Sequence, residues 1–230
     1  MPEDQESIVE RISALRATIT GAEAVVQNID IDPLFGAREF SPLGKAVVET
    51  RNGWSPVCDG GGTAVLTLSC LRNGRIDLNE TKYTSATRGD VEKFHVREGD
   101  FYYSRGNTPE LVALAGIARD VNRVVVFPDL LTRVSFDEKL ILPEFAAYLF
   151  NSRHGRRYFG KVPMGASPSM VKVSQDYMAG FRVPFLGDIE RQQEIITALR
   201  PFRELVDSLT ILIRRDSDTV RRVLDPLWEE

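Results

Sequence analysis

Histidine and cysteine are scarce in this chain, with two of each in 230 residues. His95 and His154 are far apart, and neither forms metal-ligand spacing with Cys58 or Cys70. A metal centre and a disulfide framework are therefore not expected, and no cofactor is assigned to the chain. No serine or cysteine stands in a nucleophile elbow beside either histidine, so no catalytic constellation emerges. Long apolar runs are missing as well: nothing approaches the roughly 20 residues of a membrane span. The first residues are acidic, unlike a signal peptide. The expected compartment is the cytoplasm.

Acid is the other local absence. The net charge is −4, which argues at first against nucleic acid, but the distribution overrides the total. Residues 1–30 hold six acids against Arg11 and Arg16, and residues 188–230 hold ten acids against seven arginines. The middle of the chain is left with a net charge of +3. From Phe145 to Gln175 there is no acid at all, while Arg153, Arg156, Arg157, Lys161 and Lys172 fall there. A solvated helix face normally mixes both signs, so this run points to a strip facing phosphate. His154, among the arginines, reads as a further phosphate contact.

Helices are expected at both ends. Ser7 and Glu10 have the form of a capping box, and Ile8, Ile12, Leu15, Ile19, Ala22, Val26 and Ile29 then step alternately by four and three. Such a seam has coiled-coil spacing; an ordinary docked amphipathic helix is the alternative. Asp188 is placed to cap a second helix whose seam runs through Ile195, Leu199, Phe202, Val206, Leu209 and Ile213, with Pro201 expected to kink it or mark a join. The same frame continues through Asp216 to Val220, Val223 and Leu227.

Between them the texture is mixed. Pro33 to Pro56 reads as loop with a short helix near Leu43–Glu49. Strands are expected at Ala64–Leu68, Ile76–Leu78, Lys93–Val96, Phe101–Ser104, Val124–Phe127, Leu130–Val134 and Phe181–Phe185, with a turn at Asn73-Gly74. Pro143 suits the first turn of a helix through Asn151, and a second short helix follows near Arg156–Phe159. Strands come first and helices later, without βαβ alternation, so the fold class is α+β.

Ser104-Arg105-Gly106-Asn107 follows a strand directly and would display Arg105 and Asn107 on a turn. Arginine suits the guanine O6/N7 edge and asparagine the adenine N6/N7 edge. A surface turn whose asparagine bonds its own backbone is the alternative. Ser167 and Lys172, in the small, polar and basic stretch that precedes the second helix, complete the candidate set. Two fragments suggest a methyltransferase: Asp32-Pro33-Leu34-Phe35 resembles an Asp-Pro-Pro-aromatic motif, and Gly60-Gly61-Gly62 a cofactor loop. The first lacks its second proline, and the second lacks a preceding strand and a following helix, so loop punctuation is the reading.

Arg97 to Asn107 is similar to the Lys-x-Gly-Asp-Ile-Leu-x-Ser-Arg segment of the specificity subunits of type I restriction–modification systems. Leu142–Phe159 resembles that family's helix pair carrying Leu-Asn-Ser and Gly-Arg, and Gly165 through Val183-Pro184 to Glu190-Arg191-Gln192-Gln193-Glu194-Ile195 resembles its run into a Glu-Gln-x-x-Ile helix. Arg191 splits the Glu-Gln pair here, and one leader proline is missing. The resemblance covers roughly Trp54 to Glu230. It implies a non-catalytic reader of double-stranded DNA that positions methyltransferase subunits and a restriction subunit, with S-adenosylmethionine and ATP used by those partners only. Family members usually hold two recognition domains; this chain reads as one, a half subunit.

The organisation expected is an N-terminal helix at 1–31, a target recognition domain at 32–187 and a C-terminal coiled-coil helix at 188–230. The seam lengths differ, about 33 Å against 50 Å, so the longer one would be left partly uncovered and a homodimer through the helices is expected. A coiled-coil adaptor that binds only protein is the alternative function.

Overall fold

The four residues Phe101–Ser104 (β7) are buried on both sides, and the architecture follows from them. In the computed structural model, residues 2–28, 37–162 and 170–224 are described. β7 pairs with Leu131–Phe136 (β11) on one edge and Ala115–Ala118 (β9) on the other, both antiparallel. The six-stranded sheet is completed by Val47–Asn52 (β2) beyond β11, and by Arg75–Ile76 (β5) and Leu71–Arg72 (β4) beyond β9. Successive strand side chains point to opposite faces. Phe101 and Tyr103 accordingly meet Phe150, with centroids 5.3 and 5.8 Å away, while Tyr102 meets Phe127 at 5.0 Å. One strand therefore joins two apolar layers, and the run Phe-Tyr-Tyr is buried without alternation.

The layer under Tyr102 is closed by a small sheet in which Thr63–Leu66 (β3) lies between Val125–Val126 (β10) and Thr81–Thr84 (β6). The layer over Phe101 is closed by Pro143–Asn151 (α2) and Arg153–Phe159 (α3), where Phe150, Phe159 and Phe181 stack with centroids 4.7–5.4 Å apart. Gln175–Ala179 (α4), and Arg182–Pro184 (β13) paired with Phe40–Pro42 (β1), finish the body. Gly155 is needed at the junction of α2 and α3: a Cβ there would lie 2.2 Å from the Leu149 carbonyl oxygen. Asn73 and Gly74, with φ of 48° and 72°, form the tight left-handed turn between β4 and β5 that their sequence announces.

The α+β class holds, with local differences. The supposed loop before Pro56 contains β1 and β2, and the short helix is a 3₁₀ turn, Leu43–Ala46. Lys93–Val96 is not a strand: Val91–Phe94 is a 3₁₀ turn, and His95 makes a single bridge to Val126. Gly60-Gly61-Gly62 leads into a strand, with Asp59 accepting from the Gly61 and Ser85 N–H groups, as loop punctuation should.

The chain divides into two compact units, Ile29–Ile196 and Met1–Asn28 with Thr197–Glu230. In the second, Pro2–Asn28 forms α1. Ser7 therefore lies inside the helix and caps nothing; Pro2 opens the helix, where its missing N–H costs least. Ile8, Ile12, Leu15 and Ile19 are half-buried among exposed neighbours, the stripe their spacing predicts. Ile189–Leu224 (α5) is capped by Asp188, whose Oδ1 accepts from the Arg191 N–H at 3.1 Å. It continues through Pro201, and the unit boundary falls at Thr197, whose carbonyl a residue other than proline at 201 would serve.

Burial along α5 does not follow one seam alone. Phe202 is 43% exposed, and the buried position beside it is Arg203 at 8%. Ile29, Asp32–Phe35, Ser167, Leu227 and the side chains of Val26, Val220 and Val223 lie outside the described residues.

Candidate nucleic-acid interface

The corner after β7 is built by backbone. Arg105 donates its N–H to the Leu130 carbonyl and accepts from the Val173 N–H, each at 2.8 Å. Gly106–Asn107 (β8) then pairs antiparallel with Val171–Lys172 (β12), setting Lys172 opposite Gly106 and Val171 opposite Asn107. The fold thus brings together two candidates, Arg105-Gly106-Asn107 and Lys172, that are more than sixty residues apart in the chain. Lys172 is exposed and Arg105 is half-buried, its Nη1 donating to the Asp129 carbonyl at 3.3 Å.

Two members of this set are turned inward. Ser104 is 1% exposed and donates to the Leu111 carbonyl at 2.9 Å, so it holds the following loop instead of facing a ligand. Asn107 accepts from the Thr108 N–H at 2.9 Å, the self-bonded turn that was the alternative reading. Its carbonyl oxygen is thereby engaged, and only its amide N–H groups are left to a base edge.

α3 carries the basic run. Ser152 caps it by accepting from the Gly155 N–H at 3.3 Å. Tyr158 and Tyr177 exchange bonds with each other's carbonyls at 2.8 and 3.0 Å, which fastens α3 to α4 directly after β12. Arg153, Arg157 and Lys161 are exposed. Arg156 is not: its Nη2 donates to the Val112 and Glu110 carbonyls at 2.6 and 3.2 Å, and burial pulls the guanidinium below its ordinary pKa. It rivets the loop after β8 and leaves the strip. His154 also leaves it, its ring lying 5.5 Å from Phe40 and 5.2 Å from Phe181 while Nε2 donates to the Arg182 carbonyl at 2.8 Å.

What remains outward is Arg153, Arg157, Lys161 and Lys172, on elements joined through Arg156, Tyr158 and Tyr177. No acid interrupts this part of the chain. Among the described residues, no group of three His, Cys, Asp or Glu side chains could hold a metal ion. Cys70 is buried and its thiol is pushed up by that burial, while Cys58 is exposed.

Several polar residues missed as functional are internal clasps. Asp100 accepts from the Arg97 N–H, the Tyr102 hydroxyl and Arg133 Nη1 at 3.0, 2.8 and 3.2 Å. Burial, and then the Asp100 charge, raise the Tyr102 pKa well above its usual value. Asn151 bonds both the N–H and the C=O of Ala115, at 3.0 and 2.8 Å. Gln192, fully buried, accepts from the Leu142 N–H and donates to the Leu140 and Phe185 carbonyls at 2.8–2.9 Å. The signal for them was present in the motifs, where an aspartate, an asparagine and a glutamine recur beside apolar positions.

No family model matches the chain. The type I restriction enzyme EcoKI specificity subunit of Escherichia coli (strain K12) is 24% identical over 167 residues, 71% of this chain and 35% of that subunit. The chain is similar in sequence to that part of a type I specificity subunit. The matched length is thus about a third of the curated relative. Among solved structures, one from a study of complex assembly and conformational transition in the type I R-M system aligns over 96% of this chain and 55% of its own, with TM-score 0.57 and 15% identity. It shares the fold. The HsdS subunit of Thermoanaerobacter tengcongensis aligns over 96% and 51%, with TM-score 0.48 and 16% identity. The resemblance read from Arg97–Asn107, Leu142–Phe159 and Glu190–Ile195 is borne out. Its motif side chains that the structure describes are largely the clasps, which explains why they mark the fold more than the target. Among the described residues, no helix is long and apolar enough to cross a membrane.

Proposed function

We propose that this chain reads double-stranded DNA as the non-catalytic specificity component of a type I restriction–modification system. The observation that carries the reading is the outward set Arg153, Arg157, Lys161 and Lys172 on an acid-free stretch, around the corner that also displays Arg105. Lysine and arginine in such a strip neutralise phosphates and release counterions, which supplies affinity and orientation without sequence information. Sequence would be read by the Arg105 corner and the adjoining loops. Methyltransferase subunits using S-adenosylmethionine, and a restriction subunit using ATP, would carry the chemistry; a cytoplasmic location follows from that role. The helices α1 and α5 would serve as the coiled-coil arm on which such partners assemble.

The test is duplex binding against salt. The log of the affinity should fall linearly with the log of salt, by about 0.9 per phosphate contact. Reversing charge at Arg153, Arg157 and Lys161 together should weaken binding to every duplex and flatten that line. A methylome of cells with and without the gene would then report the target. Binding that ignores both salt and the triple variant would leave the chain as a protein-binding adaptor.

A further inference from the structure

The loop between β8 and β9 is held at its end and in its middle. Ser104 Oγ donates to the Leu111 carbonyl at 2.9 Å, and the Ala113 N–H donates to the Ser104 carbonyl at 2.8 Å. Arg156 fixes the Glu110 and Val112 carbonyls at 3.2 and 2.6 Å. Within the loop the Leu111 and Val112 N–H groups both donate to the Thr108 carbonyl, at 3.0 and 2.8 Å, so Thr108-Pro109-Glu110-Leu111 is a closed turn. Proline suits the second place of such a turn because its φ is already set. Glu110 takes the third place and is exposed, with Leu111 46% exposed beside it. Among the described residues, no hydrogen bond or ion pair engages the Glu110 carboxylate.

The two elements that hold this turn offer donors. Arg105 and Lys172 can only donate, and Asn107 has given its oxygen to the Thr108 N–H. On α3 the exposed Arg153 and Arg157 stand on either side of Arg156. Donors can demand the acceptors of a base edge, guanine O6/N7 or thymine O4, but they cannot demand an amino group. The Thr108 hydroxyl both donates and accepts, so it discriminates little. An acid among cations that face phosphate lowers general affinity, a loss that a base contact would offset. We propose that Glu110 is a specificity-determining residue that accepts a hydrogen bond from the N4 amino group of a cytosine in the major groove. Guanine and thymine present acceptors there, which a carboxylate repels, and adenine presents its amino group beside the N7 acceptor. The fixed turn makes the choice effective, because a carboxylate on a mobile loop could retreat from the wrong base. The inference rests on the DNA reading of the chain.

Selection of bound duplexes from a random pool by the full chain, alone and together with methyltransferase subunits, tests it. The wild-type target should hold a cytosine at one position that Glu110→Ala no longer selects. The preference for cytosine over thymine there should fall roughly fivefold or more. Affinity for unrelated duplexes should hold or rise, since an acid has left a basic surface. Glu110→Gln should move the preference at that same position toward adenine, whose N6/N7 edge suits glutamine. Glu138→Ala, which removes an exposed acid from another turn, should leave the pattern unchanged. Every Glu110 variant keeps the backbone carbonyl that Arg156 holds, and a urea midpoint confirms the fold of each. Selective binding whose pattern both Glu110 variants preserve overturns the inference and leaves the DNA reading standing. So does an equal rise in affinity for every duplex, which marks Glu110 as a plain surface charge, or a pattern that Glu138→Ala alters as much. A chain that binds no duplex in either setting overturns the DNA reading and this inference with it.

Discussion

The corner between β7 and β8 and the helix α3 both offer basic and polar groups, and they hold them in opposite ways. At the corner the backbone is fastened on three sides, to Leu130, Val173 and the β12 ladder, and its side chains are drawn in after it. Ser104 and Asn107 bond the chain itself. On α3 one arginine, Arg156, makes the attachment, and its neighbours Arg153 and Arg157 are left in solvent. A rigid corner gives few outward groups in a set geometry, as base reading requires. A short helix leaves several charges in solvent, as phosphate contact would require. The difference is visible in a single pair: Arg156 and Arg157 are adjacent in sequence, the first bonded inward and the second left in solvent.

The largest effect should come from what supports both regions. Asn151→Ala removes both bonds to the 1%-exposed Ala115 and should cost about 3 kcal/mol, at about 1–3 kcal/mol for each buried group left unpaired. A shift of the urea midpoint with unchanged slope measures it. Arg156→Ala comes next, at roughly 2 kcal/mol, because the Glu110 and Val112 carbonyls lose their donor. If Arg156 faced phosphate instead, stability would stay level while the salt dependence fell, and the contrast with Arg157 would collapse.

Arg157→Ala should do the reverse. Stability should hold within about 0.5 kcal/mol, as for exposed sites, while the salt slope of duplex binding drops by about 1. Smallest is Asn107→Ala. With its oxygen given to the Thr108 N–H, it cannot make a two-point contact to adenine unless the turn opens. The expected change in target preference is below the roughly 1 kcal/mol that marks a good pair. A larger change, read by methylation of target variants in the assembled complex, would show that the turn opens on DNA and would bring the corner closer to α3 in behaviour.

Local signals were legible where the residues themselves impose the conformation. Asn73-Gly74 makes its left-handed turn, Pro143 opens α2, and Asp188 caps α5. Ser7 looked equally good as a cap and was not one, since helix propensity carries α1 back to Pro2 and nothing at Ser7 breaks it. On α5 the buried row past Leu199 passes through Arg203, which stands at a spacing of four, and Phe202 is left exposed on the neighbouring face.

Sequence alone therefore determined the fold class, most element boundaries with a local stop or start, the acid-free basic stretch and the resemblance to type I specificity subunits. Each of these is a property of neighbours along the chain, or of motifs whose order survives without coordinates. Only the tertiary structure decided which polar side chains face inward. Asn151, Arg156 and Gln192 reach carbonyls and N–H groups that lie far away in the chain and close in space, and Ser104 and Asp100 turn inward onto the Leu111 carbonyl and Arg133. Buried backbone groups must find partners, and which side chain supplies them depends on the packing of β7 against both layers.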